Sequence, residues 1–316
     1  MAKYIVTGGA GFIGSNIVKE LVRKGHKVKV IDNLSTGKIK NLKDVDRKIK
    51  FVKGNICNLQ VLQKEFRGFD YVLHQAALVS VPRSIANPIR TNRNNIDGTL
   101  NVLLAARDQK IKRVVYASSS SVYGDIETEF KTEGATGKLL SPYALTKFAG
   151  EVYCQMFYKI YGLETISLRY FNVFGPHQDP KSQYAAVIPK FIKLMIAGKR
   201  PTIYGDGNQS RDFTFVNNNV LANILAAKTS KGAGEIFNIA CGESFSLNQL
   251  VQLINQELKT NIKPIYTKER PGDIKHSKAN IKKAKKTIGF QPKVYFNKGL
   301  RETIQWYTRQ KKINFG

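Results

Sequence analysis

The sequence predicts an α/β protein whose first half forms a doubly wound parallel sheet and whose last part forms a smaller, mixed α/β lobe. Six short apolar runs occur in the first half, beginning at residues 3, 26, 49, 71, 113 and 164. Between them lie amphipathic stretches with helical periodicity, among them 12–24, 58–66, 88–109 and 142–161. This alternation is typical of parallel strands covered by helices on both faces. After Tyr170 the elements become shorter and the loops richer in Gly, Asn and Pro, which predicts a second lobe.

The chain carries a large excess of positive charge, because 51 Lys and Arg residues stand against 23 Asp and Glu residues, a net charge of +28. Such an excess can indicate nucleic-acid binding. The basic residues are spread along the whole chain, however, and the densest run, Lys282 to Lys286, has the pattern of one exposed face of a short helix. A lysine-rich surface that attracts phosphorylated, anionic substrates is therefore the favoured interpretation, with no nucleic-acid partner.

Nothing in the sequence indicates a membrane, a secretory pathway or a metal. No apolar run approaches the roughly 18 residues of a membrane span, and the first strand begins at Lys3, which leaves no room for a signal peptide. Cys57, Cys154 and Cys241 lie far apart, which predicts reduced thiols in a cytoplasmic protein. The four histidines are equally scattered, so we expect no protein-built metal site.

A strand, a glycine-rich turn and a helix open the chain in the segment KYIVTGGAGFIGSNIVKEL. Gly8 permits the tight bend, Gly11 lets the backbone approach a pyrophosphate, and Gly14 allows close packing of helix on strand. The helix N-terminus then offers N–H groups to the phosphates. Asp32 ends the second strand, where a carboxylate bonds the ribose 2′-OH and repels a 2′-phosphate, which favours NAD over NADP. The pattern predicts a Rossmann sheet that binds NAD.

The segment SPYALTK contains a candidate catalytic pair, because Tyr143 and Lys147 would lie one turn apart on the same face of a helix. Ser141 can cap this helix, and Pro142 suits its first turn. A phenol has a pKa of about 10, but a neighbouring ammonium and a positive nicotinamide ring would favour the phenolate. The fifth strand ends in the serines 118–121, where a hydroxyl can relay a proton to Tyr143.

Spacing alone does not identify this pair, because the same spacing recurs at Tyr307 and Lys311. The second pair lies in a basic tail, without a serine-rich strand end or a glycine turn nearby. We therefore predict a surface position for Tyr307 and Lys311.

Taken as a whole, the chain resembles an extended short-chain dehydrogenase/reductase of the nucleotide-sugar epimerase group. The resemblance rests on the segments TGGAGFIG, DNLSTG, HQAA, SSSSVYG, SPYALTK, LRYFNVFGP, GDGNQSRDF and RPGD, and it runs essentially end to end. It implies that Ser119, counted back from Gly124, is the catalytic serine beside Tyr143 and Lys147. It also implies an NAD-binding domain over 1–170, with a returning segment near 213–240, and a UDP-sugar lobe over 171–316.

The same resemblance implies the contacts of both ligands. For NAD these are Gly8, Gly11, Phe12, Ile13, Gly14, Asp32, Asn33, Asn55, Ile56, Ala76, Asn95 and Lys147, although Asn55 could equally serve only a turn. For the UDP-sugar they are Ser80, Ser119, Tyr143, Asn172, Gln178, Ala186, Val187, Tyr204, Arg211, Arg270, Asp273 and Ser277. Among the latter, Arg211 and Arg270 would clamp the diphosphate, a task that suits the planar guanidinium group. Asp273 would hold the uridine ribose, and Tyr204 would lie against the uracil.

Position 277 bears on the choice of sugar. Related epimerases restricted to glucose and galactose carry a bulky tyrosine there, whereas Ser277 leaves room for an N-acetyl group. Ser80, Gln178 and Ala186 would line that group, and Val79 departs from the glycine that this branch often has. We therefore predict reversible 4-epimerisation of UDP-N-acetylglucosamine and UDP-N-acetylgalactosamine through a 4-keto intermediate, with UDP-glucose and UDP-galactose as slower substrates.

Two alternatives remain at this point. A UDP-glucuronate epimerase or decarboxylase would share the Ser, Tyr and Lys residues, and a non-catalytic NAD-binding or RNA-binding protein would use the basic surface. Dehydration is disfavoured, because Ser120 and Ser121 stand where related dehydratases carry Asp and Glu. The resemblance also implies a homodimer formed through the helices near 88–109 and 142–161, although two helices that merely cover a sheet would give the same pattern.

Overall fold

The computed structural model describes residues 1–126, 128–179, 186–269 and 275–314, with side chains as far as residue 309. The strands are β1 (Lys3–Thr7), β2 (Lys27–Asp32), β3 (Ile49–Lys53), β4 (Tyr71–His74), β5 (Arg113–Ser119), β6 (Glu164–Tyr170), β7 (Val173–Phe174), β8 (Thr202–Tyr204), β9 (Ser210–Arg211), β10 (Thr214–Phe215), β11 (Glu235–Ile239), β12 (Phe245–Ser246), β13 (Ile265–Thr267) and β14 (His276–Ser277). The helices are α1 (Phe12–Arg23), α2 (Leu59–Phe66), α3 (Val81–Ala86), α4 (Pro88–Asn92), α5 (Gly98–Asp108), α6 (Pro142–Tyr161), α7 (Val187–Ile196), α8 (Val216–Lys228), α9 (Leu247–Leu258), α10 (Lys282–Ile288) and α11 (Phe296–Asn314).

Seven parallel strands form the main sheet, in the order β11-β6-β5-β4-β1-β2-β3. All six predicted strands are present, and the order reverses between β1 and β4, as it does in a doubly wound sheet. The structure therefore confirms the predicted α/β class with a Rossmann sheet. The seventh strand, β11, comes from the second half of the chain and pairs with β6. Ligands of such sheets bind at the carboxyl ends of the strands near the reversal, which is the edge that carries the residues discussed below.

The two faces of the sheet are covered by different helices, and each face has its own apolar core. Helices α1 and α8 bury Ile17 and Val220 against one face, in a cluster that includes Val6 of β1. Helices α2, α5 and α6 cover the other face, where Leu62 packs in a cluster that includes Ile5 of β1. The neighbouring residues Ile5 and Val6 thus serve opposite cores, because successive side chains of a strand point to opposite faces.

The predicted helix over 88–109 is in fact composite, with a turn of π-helix at Arg93–Asp97 between α4 and α5. Asn95 lies in this turn, is 1% exposed, and accepts a hydrogen bond from the Leu78 N–H at 2.8 Å. An irregular helical turn that coincides with a buried polar anchor is a frequent arrangement at functional sites. The other predicted helices, at 12–24, 58–66 and 142–161, correspond to α1, α2 and α6 to within one residue at either end.

The second lobe is mixed α/β, as predicted. It contains the pairs β10-β7 and β13-β8 and the three-stranded sheet β12-β9-β14. Helices α7, α9 and α11 surround an aromatic core in which the rings of Phe213 and Phe296 stack with centroids 5.2 Å apart. Phe174 packs edge-on against Phe296, with centroids 5.5 Å apart.

Tyr307 does not lie on the surface, and this prediction was wrong. It is 8% exposed, and its hydroxyl donates a hydrogen bond to the backbone carbonyl oxygen of Gln178. The reason is an apolar stripe on one side of α11, formed by Phe296, Leu300, Ile304 and Tyr307. The basic and polar residues between these positions conceal the stripe in the sequence. The side chain of Lys311 lies outside the described residues.

The basic segment near the C-terminus forms α10, as predicted. Lys282, Lys285 and Lys286 are exposed on it, whereas Ala284 and Ile288 are buried. Across the described ranges, no helix has both the length and the apolar character that a bilayer crossing requires. The same ranges contain no group of three or more His, Cys, Asp or Glu side chains arranged to hold a metal ion.

Candidate active site

The glycine turn between β1 and α1 has no room for side chains at two of its positions. Gly8 has a φ of 68°, in the left-handed region, and a Cβ there would lie 2.7 Å from the Cα of Ala76. A Cβ on Gly14 would lie 2.2 Å from the carbonyl oxygen of Gly8. Gly11 precedes α1, and its N–H donates to that same oxygen at 3.1 Å. The start of the helix is thereby held close to the strand, and the turn presents backbone.

The edge formed by β1, β2 and α1 fits a dinucleotide. Helical geometry leaves the N–H groups of Phe12 and Ile13 without acceptors inside α1, and such groups suit a phosphate. Asp32 ends β2 and is 7% exposed. Its carboxylate accepts hydrogen bonds from the Ala10 N–H at 2.9 Å and the Leu34 N–H at 2.8 Å. These bonds fix a negative charge beside the turn, where an adenosine ribose would be held.

The other residues predicted to contact NAD lie around the same edge. Asn33 and Asn55 each use the side-chain oxygen to accept from the N–H two residues later, at 3.0 and 2.9 Å. The turn role left open for Asn55 is therefore present. Ile56 is buried in the core under α2 and α5. The side-chain nitrogen of Asn95 donates to the Leu78 carbonyl oxygen at 3.1 Å, so this amide holds the segment after β4 in place.

The structure brings Ser119, Tyr143 and Lys147 together at the carboxyl end of β5. Ser141 accepts a backbone N–H of the first turn of α6, and the helix begins at Pro142, as predicted. Such a cap contributes about 1 kcal/mol to helix stability. Tyr143 and Lys147 follow on one face of α6, and the Ser119 hydroxyl at the end of β5 hydrogen-bonds to Tyr143.

Burial has the largest effect on the electrostatics of Tyr143. Burial raises the pKa of Tyr143 above its usual value, and the hydrogen bond from Ser119 offsets this only in part. The Lys147 ammonium donates instead to the backbone carbonyl oxygen of Ala117, at 2.8 Å. Burial lowers the pKa of Lys147 to about 8, against the opposing charge of Glu151. The protein alone therefore does not lower the pKa of the Tyr143 phenol. The remaining effect that would lower this pKa is the positive charge of bound NAD.

Three buried ionisable groups near this edge were not singled out from the sequence. His74 lies between two threonine hydroxyls, at 2.7 and 3.1 Å, and burial together with the charge of Lys147 lowers its pKa to about 3. Burial raises the pKa of Asp212 to about 7, opposed by backbone N–H donors. Glu151 is 1% exposed. The sequence positions of two of these groups indicate that they lie near the site. Glu151 follows Lys147 by one helical turn, and Asp212 directly follows Arg211.

Asp212 connects three of the residues predicted to bind the sugar nucleotide. Its N–H donates to the Ser277 carbonyl oxygen at 2.8 Å, and its own carbonyl oxygen accepts from the side chain of Asn172 at 3.1 Å. Arg211 pairs in register with Ser277 across β9 and β14, and its guanidinium group donates to two backbone carbonyl oxygens, at 2.9 and 3.2 Å. Asn172 has a φ of 34°, a left-handed conformation that non-glycine residues seldom adopt. Asn172, Arg211 and Ser277 thus belong to one hydrogen-bonded unit.

Two residues predicted to line the sugar also have structural contacts. Ser80 accepts the Arg83 N–H at 3.2 Å and so caps α3. The side-chain nitrogen of Gln178 donates to the Val173 carbonyl oxygen at 3.2 Å. The side-chain oxygen of Gln178 is buried and has no hydrogen-bond partner among the described residues.

Three more of the residues predicted to contact the sugar nucleotide lie where a helix or strand of the second lobe begins or ends. Ala186 immediately precedes α7, and Val187 is the first residue of that helix. Tyr204 is the last residue of β8. Arg270 and Asp273 lie outside the described residues.

Comparison with known proteins assigns the chain to a family. Residues 4–240 match the family model described as the NAD dependent epimerase/dehydratase family. The chain belongs to this family. Its cofactor is NAD, in agreement with the prediction from the glycine turn and Asp32.

Relatives of this epimerase/dehydratase match it over nearly their full lengths. A solved structure of a UDP-N-acetylglucosamine 4-epimerase from Methanobrevibacter ruminantium, in complex with UDP-N-acetylmuramic acid, is 44% identical, with 98% of this chain and 99% of that chain covered and a TM-score of 0.94. A UDP-glucose 4-epimerase of Mycolicibacterium smegmatis is 35% identical, with 96% and 97% covered. A UDP-N-acetyl-alpha-D-glucosaminuronate decarboxylase of Bacillus cytotoxicus is 36% identical, also with 96% and 97% covered.

Proposed function

We propose that the protein is a UDP-sugar 4-epimerase that interconverts UDP-N-acetylglucosamine and UDP-N-acetylgalactosamine, with UDP-glucose and UDP-galactose as slower substrates. The observation that carries the proposal is the position of Tyr143, Lys147 and Ser119 at the sheet edge that also bears the glycine turn. The 44% identity to a UDP-N-acetylglucosamine 4-epimerase supports the same choice of substrate.

In this reaction bound NAD would supply the hydride acceptor for C4 of the sugar and the hydride donor for its opposite face. Tyr143 removes the proton of the 4-hydroxyl group, and Ser119 hydrogen-bonds the same oxygen and relays the proton. Lys147 binds the nicotinamide ribose and supplies a positive charge that favours the phenolate. The planar 4-keto sugar turns about its diphosphate before Tyr143 gives the proton back. No net oxidation occurs, so the reaction needs no second substrate to regenerate NAD, and we expect the cofactor to stay bound between turnovers.

The diphosphate has to be held tightly while the sugar turns. Different residues of the second lobe serve these two tasks. Arg211, with Arg270, binds the diphosphate, and the unit built around Asp212 fixes Arg211 relative to Asn172. Small residues such as Ser277 leave the sugar room to turn. The backbone edge of β1 and β2, with the residues predicted to contact NAD, holds the cofactor from the other side.

The direct test is to incubate the purified protein with UDP-N-acetylglucosamine or UDP-glucose, without added NAD, and to separate the products. We expect both substrates to give their 4-epimers, with the N-acetylated pair the faster, because NAD should copurify with the protein. A parallel incubation with UDP-glucuronate tests the rival function of a UDP-glucuronate epimerase or decarboxylase. Release of CO₂ with a pentose product, and no 4-epimer from either hexose, would replace the epimerase proposal with a decarboxylase.

We also propose that the protein is a homodimer joined through α4 and α6. Leu145, Val152, Met156 and Ile160 form a stripe on α6 at helical spacing, and they are 51%, 38%, 43% and 62% exposed. Ile89 on α4 is 82% exposed. The exposure of these apolar side chains on the outer sides of the two helices supports the proposal. A contiguous exposed apolar surface of this kind is typical of a protein–protein interface.

Substituting Met156→Arg is expected to convert the dimer to a monomer, because the two-fold axis would bring a buried cation into the interface of each copy. Light scattering after size-exclusion chromatography measures the mass. Ile265→Arg is the matched control, since Ile265 is 42% exposed on β13, in the other lobe. A dimeric Met156→Arg variant would place the interface elsewhere.

A further inference from the structure

Three consecutive residues at the end of β5 are each tied to α6. The carbonyl oxygen of Ala117 accepts from Lys147 Nζ at 2.8 Å, and the Ser118 hydroxyl donates to Glu151 Oε1 at 2.5 Å. The Ser119 hydroxyl hydrogen-bonds to Tyr143. The partners on α6 are residues 143, 147 and 151, which lie one turn apart on a single face. Glu151 is therefore the third member of the row that begins with the two proposed catalytic residues.

The carboxylate of Glu151 is held rigidly in the interior. Arg169 of β6 donates Nε to Oε1 and Nη2 to Oε2, both at 2.8 Å, and the side chains of both residues are 1% exposed. Ser118 and Arg169 are paired in register across β5 and β6, so strand pairing directs both side chains to the same carboxylate. The guanidinium group lies 4.7 Å from the ring centre of Tyr123 and donates to the Glu133 carbonyl oxygen at 3.1 Å. The ion pair is thus held by contacts from Ser118, Tyr123 and the backbone at Glu133.

Glu151 is also the source of negative charge for Lys147. Four other ionisable groups on α6, β5 and β4 adjoin Lys147. They are Tyr143, one helical turn away, and Cys154, Tyr116 and His74. Burial raises the pKa values of Tyr143, Tyr116 and Cys154, that of Cys154 to about 12. Burial lowers the pKa of His74 to about 3. These four groups are therefore uncharged at neutral pH. On β6, Arg169 is charged but paired with Glu151.

We propose that Glu151 is a positioning residue that keeps Lys147 charged beside Tyr143, and that Ser118 and Arg169 exist in this place to hold its carboxylate. The proposal rests on the proposed function, because it gives Lys147 an electrostatic task in catalysis. Burial alone acts to neutralise Lys147, whose pKa is lowered to about 8 with Glu151 in place. Without the carboxylate the pKa would fall further, and a neutral amine would no longer favour the Tyr143 phenolate.

The test removes the carboxylate without leaving a buried, unpaired cation. In the double variant Glu151→Gln/Arg169→Met both charges are absent, a replacement that buried ion pairs often tolerate. The Lys147 titration is followed by NMR of protein with carbon-13 at the lysine ε position, with the signal identified by its loss in Lys147→Met. We expect the midpoint to fall by about one pH unit, a tenfold change in the proton-binding constant.

The pH profile of epimerisation should move in the same direction. Activity that needs the Lys147 ammonium is present below the pKa of Lys147 and is lost as the pH rises through it. A lower pKa therefore brings the alkaline loss of activity to a lower pH in the double variant. If the double variant does not fold, Glu151→Asp is the second variant to use. It keeps the negative charge but shortens the side chain by one methylene group, so it should lower the midpoint of the Lys147 titration by a smaller amount.

The same two strands supply a matched control. Arg113 and Glu164 are paired in register at the opposite end of β5 and β6 and form an ion pair with a shortest N–O distance of 2.6 Å. The double variant Glu164→Gln/Arg113→Met should leave the Lys147 midpoint where it is in the unsubstituted protein. An unmoved midpoint in the Glu151 variants, or an equal shift in this control, overturns the role of Glu151. The proposed function is judged separately by the activity of Tyr143→Phe, so the two failures can be told apart.

Discussion

The variant Tyr143→Phe is expected to lose about a thousandfold in epimerisation rate while retaining its NAD. The substitution removes only the oxygen that accepts and returns the proton. The ring remains on α6, which is fixed by the Ser141 cap and by the Lys147 bond to Ala117. The cofactor contacts of the glycine turn and Asp32 are distant in sequence and do not involve the hydroxyl group. Initial rates with UDP-N-acetylglucosamine and the NAD content of the purified variant are the two measurements.

Tyr153→Phe is the control for this prediction, because Tyr153 lies on the same helix and packs against the core under α2 and α5. This variant should keep an epimerisation rate within about twofold of that of the unsubstituted protein, because the substitution removes only a hydroxyl group outside the proposed catalytic set. If Tyr143→Phe were as active as this control, Tyr143 would not be the base, and the reaction would need another proton acceptor at the edge of β5.

The elements that could be predicted are those whose signals are local in sequence. The bend at Gly8, the clash that only glycine avoids at Gly14, and the cap of α6 at Ser141 all depend on a few neighbouring residues. The alternation of apolar runs with amphipathic stretches likewise predicted six of the seven strands of the sheet. The strand β11 could not be predicted in this way, because it is a short segment that pairs with β6 only after the chain has passed through the second lobe.

The features that the sequence did not reveal depend on burial. Burial raises the pKa of Tyr143 in the protein alone, whereas the predicted lowering depends on Lys147 together with bound NAD and stays a prediction. Tyr307 was placed on the surface because of the basic residues around it, whereas an apolar stripe carries it into the core of the second lobe. Glu151 was overlooked because its meaning depends on Arg169, which reaches it only when β6 pairs with β5.

The choice of sugar leads to the second prediction of large effect. The variant Ser277→Tyr is expected to lower the rate with UDP-N-acetylglucosamine by about 100-fold relative to the rate with UDP-glucose. The backbone at this position is held against β9, because Arg211 pairs with it in register and the Asp212 N–H donates to its carbonyl oxygen at 2.8 Å. We therefore expect a larger side chain to take space from the bound sugar.

Ser277 is 8% exposed, so the tyrosine variant has to be shown to fold before its rates are compared. Retention of NAD and a cooperative thermal transition provide that check. Ser277→Ala separates size from chemistry, since it removes the hydroxyl group and keeps the space, and its ratio of the two rates should stay close to that of the unsubstituted protein. A folded Ser277→Tyr variant with an unchanged ratio would mean that the N-acetyl group lies elsewhere, and Gln178, whose buried side-chain oxygen has no hydrogen-bond partner among the described residues, would then be the next position to substitute.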